Sequence, residues 1–123
     1  MFQDRKMDAT TTHLKELFAT PHGAVYQCDK EGKFHLEFAG QNTSFKFPCF
    51  FALRKRVNQI DVAKMLSNPD TSADVEIICP CGSNRVFVLN VVEIIQLKEL
   101  LNGAKVMMEL NSILFERLYR VAV

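Results

Sequence analysis

Cys79 and Cys81, separated by one proline in Cys79-Pro80-Cys81-Gly82-Ser83, come nearer to chemistry by type and spacing than any other residues of this chain. Two thiolates offered from a glycine-containing turn make half of a tetrahedral zinc site. A zinc knuckle, however, places two residues between them, and here there is one. Further ligands would have to come from Cys28 with His22 or His35, so the metal set the sequence offers is Cys79, Cys81, Cys28 and His22. The plainer reading is that Cys28 and Cys49 are small buried residues and that Pro80-Cys81-Gly82 turns the chain. That reading is favoured, and no cofactor is expected. A disulfide between cysteines so close would be strained, so Cys79 and Cys81 are expected as unmetallated free thiols.

Nucleophilic catalysis needs a thiolate with a neighbouring base and an orienting third group, and Cys28, His22 and His35 are the only such residues close in sequence. Strand alternation does not fix whether Cys28 shares a face with His35. No GxSxG, Walker A, GxGxxG or HExxH pattern occurs, and five glycines are few for a phosphate cradle. The chain is therefore expected not to be an enzyme. Arg54, Lys55 and Arg56, preceded by Phe50 and Phe51, form the single basic cluster and the candidate nucleic-acid contact. Three consecutive helical residues span about 200° of arc and cannot all face one phosphate backbone, so a solvated helix face is the preferred reading.

Two short stretches carry resemblances. Cys79-Pro80-Cys81-Gly82-Ser83 resembles the zinc-binding tail of the SecA translocase, a family that adds a Cys-His or Cys-Cys pair about nine residues later. Asn90-Val91 stands there instead, so half the ligands are missing. HGAVYQC (22–28), FHLEF (34–38) and FFALRKRV (50–57) resemble a small family of uncharacterised bacterial proteins, known mainly from Bacteroidetes, with a short hairpin-and-helix domain. The resemblance covers 22 to about 66, and the second half departs from it. It implies a bacterial source and, since that family has no assigned activity, no site residues.

The elements that would position these residues follow from patterning. Thr10 to Thr12 offer N-cap oxygens ahead of Leu14, Leu17 and Phe18 at helical spacing, which predicts a first helix ended by Pro21-His22-Gly23. Strands are expected near 24–28, 34–38, 44–47, 75–79 and 85–89, with turns at Asp29-Gly32 and Gly40-Asn42. In 34–38 three apolar residues alternate with His35 and Glu37, the pattern of a half-exposed strand. Helices are expected from Pro48 to about Val57, over 60–66, and from Val91 to Asn102 behind an Asn90/Glu93 capping box. Gly103 reads as a stop.

A final helix over about 104–121 places Val106, Leu110, Ile113, Leu114, Leu118 and Val121 on one stripe to cover the sheet. Met107, Met108, Phe115 and Tyr119 add apolar area beyond it. This predicts a homodimer or higher homo-oligomer with Met108, Phe115 and Tyr119 in the interface, unless both faces lie in one core between the sheet and the first helix.

A shift of 44 residues sets 50–66 against 94–110, matching Leu53, Asn58, Val62 and Leu66 to Leu97, Asn102, Val106 and Leu110. Each segment follows a strand pair, so the chain reads either as one hairpin-plus-helix unit used twice (22–66 and 74–110) or as two amphipathic helices sharing a leucine pattern. The fold class is α+β: an antiparallel sheet of two such units, with N- and C-terminal helices packed on it, in a single domain of 123 residues.

Composition sets the remaining bounds. Apolar residues are 48% and charged residues 24%, a globular balance, and no apolar run reaches the roughly 20 residues of a membrane span. The N-terminus has no apolar segment behind its basic residues, so the chain is expected in the cytoplasm with reduced thiols. Residues 1–66 hold ten bases and seven acids and 67–123 hold five and seven, so no global field recruits nucleic acid. A non-enzymatic interaction or structural module is the expectation, and a metal- or nucleic-acid-binding regulator is the rival.

Overall fold

The computed structural model describes residues 14–67, 75–80 and 85–122, with side chains through Ile113. Four strands, β1 (Leu14–Thr20), β2 (Gly23–Cys28), β3 (Lys33–Phe38) and β4 (Gln41–Lys46), form an antiparallel sheet in sequence order. Two helices follow, α1 (Phe47–Asn58) and α2 (Val62–Ser67). A separate two-stranded ribbon, β5 (Glu76–Ile78) with β6 (Phe87–Leu89), leads into α3 (Val91–Ala122). The α+β class holds.

Alternation builds the sheet as expected. Phe34, Leu36 and Phe38 of β3 point into the core with Val25 of β2 and Phe45 of β4, while His35 and Glu37 point outward. The turn after β2 closes as predicted, with Gly32 at φ +67 donating its N–H to the Asp29 carbonyl. The next turn falls earlier than expected. Phe38 pairs with Gln41, so the loop is only Ala39-Gly40, both at positive φ, and β4 starts at Gln41 rather than 44.

The first segment departs from expectation: 14–20 is strand, not helix. A bulge explains the misleading spacing. Glu16 pairs with Tyr26 and Phe18 with Val25, which leaves Leu17 as the inserted residue. One extra residue shifts the two-residue period of a strand to three, so Leu14, Leu17 and Phe18 imitate a helical pattern. Leu17 is buried, and Phe18 packs against the core beside it.

The second departure lies at Gly103, where helix continues instead of stopping. α3 is one helix of 32 residues, about 48 Å long. Gly103 has a packing role: a Cβ there would collide with the Phe18 ring, so glycine lets β1 and α3 approach. The N-terminus of α3 is as predicted. Asn90 Oδ1 accepts from the Glu93 N–H at 2.9 Å, and Glu93 Oε1 accepts from the Asn90 N–H at 3.0 Å.

One apolar cluster joins both sheets and the helices. Phe34 stacks against Phe47 and Phe50 at 4.6 and 4.4 Å, and Ile78, Phe87, Leu89, Ile94, Leu97 and Leu101 complete it from the second half.

The 44-residue offset reappears in the elements. α1 begins at Phe47 and α3 at Val91, and buried Phe45, Phe50, Leu53 and Val57 stand opposite buried Leu89, Ile94, Leu97 and Leu101. Asn58 and Asn102, equivalent by that offset, exchange two amide hydrogen bonds of 3.0 Å with one another.

Candidate functional site

Of the residues that the sequence offered for metal binding, Cys28 and His22 lie apart in the structure. Cys28 is buried at the end of β2, while His22 is exposed in the turn before its start, about 20 Å away along the strand. Cys79 is exposed just after β5, and Cys81 lies outside the described residues. Among the described residues no three His, Cys, Asp or Glu side chains group closely enough to hold a metal.

His35 makes a contact the sequence reading missed. Its Nδ1 lies 2.9 Å from Ser44 Oγ and its Nε2 4.0 Å from Glu31 Oε1. Burial pushes the imidazole below its ordinary pKa, Glu31 opposes that shift, and Lys33 adds to it. Ser44 sits nine residues away on the neighbouring strand, and only the β3–β4 register brings it opposite. Tyr26 flanks His35 on the other side, so the row lies across the outer face of the sheet, with Ser44 exposed. A base beside a hydroxyl is present there, but the sheet gives it a flat setting.

An open groove of about 580 Å³ lies nearby, between the tips of the β1–β2 and β3–β4 hairpins. Glu16, His22, Tyr26, Glu37, Gln41 and Asn42 line its polar part.

The basic cluster is divided. Arg54 Nε donates to Asn102 Oδ1 at 2.8 Å, and Arg56 pairs with Glu76 at 3.3 Å, so these two tie α1 to α3 and to β5. Lys55 is exposed between them.

The outward surfaces of the second half are apolar. On α3, Ile94, Leu97, Leu101 and Ala104 face the core and Met108 packs partly against it. Val106, Leu110 and Ile113, expected to cover the sheet, are exposed instead, in line with exposed Val92 and Ile95. Because the helix runs through Gly103 unbroken, its phase is fixed by Ile94 to Leu101, and positions 106, 110 and 113 fall on the far side. Phe115 and Tyr119 lie on α3, but their side chains fall outside the described residues. On the ribbon, Ile77 pairs with Val88, and both are exposed with Val75 and Val86.

A model of a family of unknown function, DUF6686, matches residues 10–118. The chain is a DUF6686 protein. The match runs from before β1 into the last turns of α3, so the family takes in the second half of the chain as well as the 22–66 region whose resemblance was apparent from sequence. No curated protein and no solved structure matches this DUF6686 chain. No helix among its described residues is long and apolar enough to cross a membrane.

Proposed function

We propose that this DUF6686 protein is a non-enzymatic interaction module that self-associates through α3, built from one hairpin-plus-helix unit used twice. The observation that carries the reading is the second apolar face of α3. Val92, Ile95, Val106, Leu110 and Ile113 are 43–60% exposed, opposite the face that covers the core. At that exposure they leave roughly 450 Å² of apolar side chain in water along one side of α3, within the range a soluble monomer carries in its largest patch but aligned on a single face.

The common 44-residue offset of helix starts, buried positions and the Asn58–Asn102 pair supports the repeated unit, because two copies related by a local two-fold bring equivalent residues together at their axis. Arg54 and Arg56 being engaged within the chain weighs against a phosphate-binding face. Free Cys28, Cys49 and Cys79 suit a reducing cytoplasm, and the resemblance of 22–66 suits a bacterial source. Light scattering at micromolar concentration tests the reading. The expected mass is a multiple of 14.0 kDa that falls on dilution, and a mass of 14.0 kDa throughout would refute it.

A further inference from the structure

We infer that the partner on α3 is a second copy of this chain lying antiparallel, with a two-fold axis passing beside Asn102 and Gly103. The inference rests on the self-association reading above and adds its geometry. An antiparallel pair about a two-fold brings residue i of one helix opposite residue j of the other wherever i + j is constant. Four of the five exposed apolar positions obey one such sum: Val92 with Ile113 and Ile95 with Leu110 both give 205. The fifth, Val106, falls opposite Glu99 at the same sum.

Helical geometry keeps these residues on one seam. At 100° per residue, positions 92, 95, 99, 106, 110 and 113 fall within about 60° of arc, and the seam runs about 32 Å along α3. It is bounded near its middle by Phe18 of β1 against Gly103 on one side and by Arg54 and Asn58 of α1 on Asn102 on the other.

Charge decides the direction. In a parallel pair Glu99 would meet its own copy, two carboxylates opposed in an apolar seam. In the antiparallel pair each Glu99 lies opposite Val106 of the second copy, and the helix dipoles oppose one another favourably. The five apolar residues of both copies supply about 900 Å² between them, and the polar rim brings the total to the small end of stable interfaces. A micromolar, reversible dimer is the consequence, weakened by the lone Glu99.

A charge exchange tests the register. Ile95 and Leu110 are both about half exposed, so Ile95→Glu and Leu110→Lys leave the fold intact, as circular dichroism should verify. Each alone should give a monomer by light scattering. Combined in one chain they place Glu opposite Lys twice across the axis and should restore the dimer, more weakly as salt is raised. Ile95→Glu with Leu110→Glu should stay monomeric, and Glu99→Leu should lower the dissociation constant about tenfold. Val92→Glu with Ile113→Lys repeats the test should either first variant misfold. A wild-type dimer that ignores the single substitutions, or is not rebuilt by the Glu/Lys exchange, overturns the antiparallel register while leaving self-association standing. A wild-type monomer overturns both.

Discussion

The β3–β4–α1 region and the β5–β6–α3 region follow the same plan inward and opposite plans outward. Facing the core, both present large apolar residues at positions 44 apart, as Phe45, Leu53 and Val57 match Leu89, Leu97 and Leu101. Facing out, β3 and β4 carry His35, Glu37, Asn42 and Ser44, whereas β5 and β6 carry Ile77 and Val88, with Val75 and Val86 exposed just ahead of the two strands. A polar outer face is the ordinary finish of an antiparallel sheet against water. The first region is finished with polar residues toward water, and the second turns apolar residues to it. β3 is flanked by β2 on one side and β4 on the other, while among the described residues β5 pairs with β6 alone, and this two-stranded ribbon is held to the core through Ile78, Phe87 and Leu89.

The largest expected effect tests the inward likeness. Leu53→Ala and Leu97→Ala remove side chains that are 2% and 0% exposed, and each should destabilise the fold by about 2–5 kcal/mol in denaturant unfolding. Similar losses support two equal shares in one core. A Leu97 loss well under 1 kcal/mol would mark the second region as an appendage and break the comparison.

Gly103→Ala comes next. Alanine ordinarily strengthens a helix by about 1 kcal/mol over glycine, but here its Cβ meets the Phe18 ring, so a net loss of about 1–3 kcal/mol is expected. In a Phe18→Ala background the sign should reverse.

A smaller effect, of opposite sign, sharpens the comparison at the position equivalent to Phe87. Thr43 Oγ1 is buried and lacks a hydrogen-bond partner among the described residues, where the second region has an apolar ring. Thr43→Val should raise stability by about 1 kcal/mol, read as a higher denaturation midpoint at unchanged slope.

The smallest effect lies on the polar face. Burial holds the His35 imidazole below its ordinary pKa, so as pH falls through about 6.5 the unfolded chain takes up its proton first. Stability is complete above that pH and declines below it. His35→Gln should flatten this slope slightly without changing stability at pH 8.

Sequence patterning made β3 and the start of α3 legible for local reasons. Strict alternation has a single reading at Phe34 to Phe38, and the Asn90/Glu93 box is closed by residues three apart. β1 was illegible because a bulge converts a period of two into an apparent period of three, and only the pairing of Glu16 and Phe18 with β2 exposes it. Gly103 misled for a related reason: a glycine that admits a distant aromatic ring looks the same in sequence as one that ends a helix. The Ser44–His35 contact depends on register. The outward stripe on α3 was visible as Val106, Leu110 and Ile113, but its direction depended on a helix phase set upstream, beyond the assumed break.

The most direct test of the contrast between the two regions is methyl and aromatic NMR with a soluble paramagnetic probe, recorded over a hundredfold range of protein concentration. Probe-induced broadening of Ile95, Leu110 and Ile113 is expected to fall as concentration rises, while Tyr26 and His35 on the outer face of the sheet stay equally accessible. If the α3 methyls remain as accessible at the highest concentration as at the lowest, the outward face of α3 has no partner in a second copy, and the account is contradicted.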